Sequence, residues 1–71
     1  MTIELTVAEK TDIINQHVKN LELSRYNAAL SLVEANAATT PNQSTIQSLN
    51  NSIADIDSQI SALNTALTNL Q

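Results

Sequence analysis

A chain of 71 residues with net charge −4, no glycine, no cysteine and a single aromatic side chain makes one small domain at most. It lacks the aromatic residues and glycine-bearing turns that strand-rich folds draw on, and the cysteines of a disulfide framework or thiolate metal site. Lys10, Lys19 and Arg25 are the only basic residues, which leaves no basic stripe for nucleic-acid phosphates and no cluster for an anionic membrane.

The first residues, Met1 to Leu5, carry neither the basic region nor the apolar core of a signal peptide. No run of about 18 apolar residues follows that would cross a bilayer. The expectation is a soluble chain, cytoplasmic or particle-associated. Ile3, Leu5 and Val7 alternate with polar residues on a period of two, the pattern of a short extended segment or of a frayed start.

Thr6-Val7-Ala8-Glu9 fits a capping box, in which the threonine hydroxyl accepts from the N3 amide and the glutamate reaches back. A helix over about 7–37 follows, uninterrupted by glycine or proline. It carries two apolar stripes. One runs through Val7, Ile14, Val18, Leu21, Ala28, Leu32 and Ala35, with Arg25 in line; the arginine stem lies along the seam and its head reaches outward, toward Glu22. The other runs through Leu23, Tyr26, Leu30, Val33 and Ala37, roughly 130° around the helix. A helix that is apolar on two sides calls for neighbours on both, and the C-terminal half, which has both stripes, is expected to be the more enclosed.

Ala38-Thr39-Thr40 ends this helix, and Thr40-Pro41-Asn42-Gln43 reads as the next start, with Thr40 as N-cap and Pro41 at the first helical position. A connection this short makes the two helices antiparallel neighbours. The second helix, about 41–71, has the clearest pattern in the chain. Ile46, Leu49, Ile53, Ile56, Ile60, Leu63, Leu67 and Leu70 follow one another at spacings of 3, 4, 3, 4, 3, 4 and 3, a heptad repeat with every a and d position aliphatic. The flanking e and g positions, Thr45, Asn50, Ser52, Asp57, Gln59, Asn64, Ala66 and Gln71, hold one charge between them. Charge pairing along this helix therefore does not choose its partner; shape and the uneven first helix must.

The fold class that follows is all-α, an antiparallel two-helix hairpin. Two helices in contact leave much of each stripe in water, and a scaffold without disulfide or metal usually remedies this by self-association. The expected assembly is a four- or six-helix bundle; the prevalence of two-fold symmetry ranks a homodimer ahead of a trimer, with a heterologous protein helix as the alternative partner. The interface residues expected are Leu23, Tyr26, Leu30 and Val33 together with Ile46, Leu49, Ile53, Ile56, Ile60, Leu63, Leu67 and Leu70.

Side chains able to do chemistry are few and scattered. His17, the only imidazole, lies at the edge of the first stripe and reads as a packing residue. Asp55 and Asp57, two positions apart, do not face each other and read as a solvated face. Glu9 and Asp12 complement a helix N-terminus, and Lys19, Glu22 and Arg25 are spaced for surface ion pairs. No phosphate loop, nucleophile elbow or metal-ligand spacing is present, so neither an enzyme nor a cofactor is expected.

Thr40-Pro41, the Asn/Ser/Thr/Ala surface of the second helix, the run from Ile53 to Leu63, and the segments Val18–Glu22 and Ala28–Ala37 together resemble short uncharacterised helical-hairpin coiled-coil proteins of marine bacteriophages. The resemblance spans most of the chain and implies no activity. The leading expectation is a structural or interaction protein, a self-associating helical hairpin such as a small virion or assembly component; the alternative is an adaptor that offers its second stripe to another protein's helix.

Overall fold

The computed structural model describes residues 4–70 as two helices, α1 (Val7–Ala37, 31 residues) and α2 (Gln43–Asn69, 27 residues), packed as an antiparallel hairpin. The expected all-α architecture is therefore correct, and α1 has the expected bounds. Of the extended or frayed start, Met1 to Ile3 lie outside the described residues; Glu4 and Leu5 are non-helical.

α1 begins as its capping box dictates. The Thr6 hydroxyl accepts from the Glu9 amide at 3.0 Å, and the Thr6 amide donates to the Glu9 carboxylate at 2.9 Å. The second of these bonds, donated by the Thr6 backbone amide, is the main reason the Glu9 carboxyl sits below its ordinary value; the Thr6 hydroxyl adds to it. A carboxylate depressed in the folded state contributes stability above its unfolded value, about pH 4.3, and loses it as pH falls through the folded value. Glu9→Gln keeps the reciprocal bond without the charge, so the difference in urea midpoint between pH 7 and pH 3 should narrow in that variant. An unchanged difference would place the acid sensitivity elsewhere.

The turn departs from expectation in one detail. α2 is capped by Asn42, not Thr40: Asn42 Oδ1 accepts from the Thr45 amide at 3.2 Å, and Pro41 stands just outside the helix. Asparagine is the stronger N-cap of the two, and proline drives the residue before it out of the helical region. Among the described residues no φ is positive, so the chain reverses without the left-handed conformations that would call for glycine. Ala38 leaves α1 in an extended conformation, and Asn36 Nδ2 donates back to the Leu32 carbonyl at 3.0 Å.

Packing follows the heptads. In α2 and at its C-cap, Leu70, every a and d residue from Ile46 onward is half-buried. In α1 the half-buried residues are Thr11, Ile14, Val18, Leu21, Ala28, Leu32 and Ala35, joined by Ala29 at the margin, while Val7 stays exposed. Thr11 and Ala29 are additions to the expected stripe. With Arg25 counted in line, the α1 seam steps 3, 4, 3, 4, 3, 4, 3 from Thr11 to Ala35, the same sequence of steps as α2.

The result is a rod of 61 × 19 × 15 Å. Its radius of gyration is 16.8 Å, against about 11 Å for a compact chain of this length. Its accessible surface is 5447 Å², where a compact monomer of this mass exposes about 4,300 Å². None of the described residues is fully enclosed. Two helices share one seam, and there is no third layer to close over it.

Candidate functional site

Two features of this rod go beyond a plain seam: a charged pair across the helices and an apolar face turned away from them.

Arg25 occupies a seam position where the heptad would place an apolar side chain. It does not reach Glu22, as its position on the helix suggested. It crosses to α2, where Nε donates to Asp57 Oδ1 at 2.6 Å and Nη2 to Asp57 Oδ2 at 3.3 Å. Asp57 is accordingly not a purely solvated residue, although both side chains stay about half exposed. The bidentate contact holds the Arg25 guanidinium above its ordinary value, mainly through the hydrogen bonds to Asp57 and then through its charge. At this exposure water screens the attraction, so the pair contributes little net stability.

Its consequence is register. Counting from the turn, Arg25 is the fourth seam position of α1, after Ala35, Leu32 and Ala28; Ile56 is the fourth of α2, after Ile46, Leu49 and Ile53. Arg25 bonds the neighbour of Ile56, which brings the two helices together with their counts in step. A lone polar group in a seam is a known device for fixing alignment at some expense of stability.

The second feature is the stripe Leu23, Tyr26, Leu30 and Val33, completed by Ala37. Its steps of 3, 4, 3 and 4 form a heptad seam of their own, about 21 Å long. Leu23 lies two residues from both Leu21 and Arg25, and two residues are about 200° on a helix, so the stripe faces away from α2. Tyr26 is 64% exposed, Val33 63%, Leu23 56% and Leu30 43%. A single chain thus leaves this face uncovered, and the greater enclosure expected of the C-terminal half of α1 is not supplied within the hairpin. The expected interface residues divide in two: those of the second helix pack on α1, and the four of the α1 stripe are left exposed among the described residues.

The same face continues toward the N-terminus at the same spacing, but as Lys19, Gln16, Asp12 and Glu9. It is acidic at one end, basic at Lys19 and apolar beyond. The outer face of α2 offers no counterpart. Gln47, Asn51, Ala54, Ser58, Ser61, Thr65 and Thr68 repeat there, and Thr65 and Thr68 turn their hydroxyls onto the Ser61 and Asn64 carbonyls at 3.1 and 3.0 Å. All the apolar surface able to recruit a partner over such a length is on α1.

His17 is exposed, and the described residues hold no group of three or more His, Asp or Glu side chains placed to bind a metal. No cavity opens between the helices, and no described helix is long and apolar enough to cross a membrane. Comparison of the chain with protein-family models, curated proteins and solved structures found no match.

Proposed function

We propose that this protein is a structural or interaction component, a helical hairpin that works by associating with copies of itself through the outward face of α1. The observation that carries this reading is the Leu23/Tyr26/Leu30/Val33 stripe. It has the periodicity of a coiled-coil seam and no partner among the described residues, and apolar residues set at seam spacing on a solvent face mark a contact surface. A pair of hairpins joined there is a four-helix assembly, and three make a six-helix one. The role that suits such a rod is a building block or assembly aid, in keeping with the resemblance to small phage hairpin proteins.

The test is absolute mass by light scattering on a sizing column, over a hundredfold range of concentration. The expected mass at the upper end is two or three times the 7.7 kDa of one chain. A strongly helical species that stays at 7.7 kDa throughout would overturn self-association and turn attention to the adaptor reading, in which the stripe receives a different protein's helix.

A further inference from the structure

The proposed self-association leaves open how two copies meet, and the charges on the α1 face decide it. Glu9, Asp12, Gln16, Lys19, Leu23, Tyr26, Leu30, Val33 and Ala37 lie on one face at steps of 3 and 4. If two α1 helices met side by side in the same direction, each residue of this face would oppose its own copy. Glu9 would meet Glu9, Asp12 would meet Asp12 and Lys19 would meet Lys19, three like-charge contacts in one seam. If they met in opposite directions about a two-fold axis near residue 28, the stripe would instead complement itself. Leu23 would fall against Val33 of the second copy and Tyr26 against Leu30, while Glu9 and Asp12 would lie beyond the overlap.

The same arrangement gives Lys19 an opposite charge. It falls against Ala37 of the second copy, one turn from Glu34 and beside the free carbonyls that close α1. That end is electronegative by the helix dipole, and the last turn of α1 contains no basic residue. Among the described residues neither Lys19 nor Glu34 has an ion-pair partner within its own chain. Lys19 and Glu34 of one chain lie about 22 Å apart along the helix, well beyond the ~8 Å screening length at physiological salt, so they do not serve each other.

We infer that the occupant of the α1 face is a second copy of this chain in antiparallel orientation, with Leu23, Tyr26, Leu30 and Val33 at its centre and each Lys19 on the carboxyl end of the other copy's α1. The inference rests on the self-association proposed above. A single helix-to-helix contact of this length is a small interface, so the pair should dissociate on dilution, in the range of transient complexes.

Because the chain has no cysteine, single thiols report the orientation without interference. Lys19→Cys and Ala37→Cys variants are mixed at equal concentration under mild oxidation, and the products are weighed. A disulfide needs Cα atoms within about 7 Å. The antiparallel pair should yield the mixed Lys19→Cys/Ala37→Cys product, with each variant alone giving several-fold less, since like positions then lie about 27 Å apart. Rapid self-crosslinking of Lys19→Cys alone would overturn the antiparallel arrangement. Lys19→Glu should weaken the pair about tenfold, and Lys19→Glu combined with Glu34→Lys should restore most of that loss. A double variant no tighter than Lys19→Glu alone would remove Lys19 from the contact and overturn the inference as stated. Light scattering on the unmodified chain separates the two levels: a multimer that fails the crosslinking pattern leaves self-association standing, and a persistent monomer removes both.

Discussion

Replacing Ile60 with aspartate should unfold the hairpin. Ile60 is a half-buried seam residue of α2, and counting from the turn it shares the fifth layer with Leu21. The substitution removes about 1 kcal/mol of apolar burial and sets a carboxylate against aliphatic neighbours at a further cost of about 1–3 kcal/mol. At the low end of about 0.05 kcal/mol per residue a chain of 71 residues has roughly 3.5 kcal/mol in hand, and a hairpin in which no described residue is fully enclosed belongs at that end. Circular dichroism at 25 °C should show most of the helical signal lost. The control is Ser58→Asp, which adds the same charge to the exposed outer face of α2 and should leave the melt within about 0.5 kcal/mol of the parent. If both variants kept full helicity, the seam would not be what holds α2 in place, because its asparagine- and serine-rich surface has little helical propensity of its own.

The second large effect is expected where the first is absent. Changing Tyr26 and Leu30 together to aspartate should abolish self-association and leave the helices standing. Both side chains are largely exposed in the single chain, so the hairpin loses little by giving them up. The assembly loses them on every copy. Burial of four such side chains across a two-fold pair is worth at least about 4 kcal/mol, which raises the dissociation constant roughly a thousandfold. Light scattering should then give 7.7 kDa at concentrations where the parent is multimeric, with the far-ultraviolet spectrum nearly unchanged. The melting temperature should also cease to depend on concentration, since no partner remains to stabilise the folded form by mass action. A variant that stays multimeric would place the contact on some other face.

The contrast between these two substitutions follows from what the order of residues made legible. The α2 seam could be read completely, because a 3-4 repeat of isoleucine and leucine is a property of one helix and needs no partner to be seen. The Thr6/Glu9 box was legible for the same reason, since both bonds join residues three apart. Thr11 is hidden from the apolar pattern because its side chain is polar, although it sits three residues before Ile14 and completes the count. Thr-Pro is a persuasive helix start, but Asn42, two residues on, is the better acceptor and lies one turn before the first seam residue, Ile46. Local spacing points Arg25 to Glu22, a neighbour on its own helix, because it carries no information about the other helix. Asp57 is 32 positions away and comes within reach only once the turn is set. The clue was present all the same: counted outward from the turn, Arg25 and Ile56 hold the same ordinal. For the α1 stripe, the sequence showed its spacing and composition, and the fold added that none of the described residues covers it.

The matched stepping of the two seams has a further consequence for how such a rod can vary. Residues 15–21 of α1 lie alongside residues 60–66 of α2, one heptad on each arm, between Arg25 and the open end. Excising both slices would rejoin Ile14 to Arg25 and Ile56 to Leu67 at a step of four, so each repeat closes over the cut without a break. The rod would shorten by about 10 Å and lose Lys19 from its outward face, while its turn, its Arg25–Asp57 contact and the apolar stripe from Leu23 to Ala37 kept their places. Length in this molecule is thus a modular quantity, graduated in seven-residue units, and adjustable at one end without disturbing the fittings at the other.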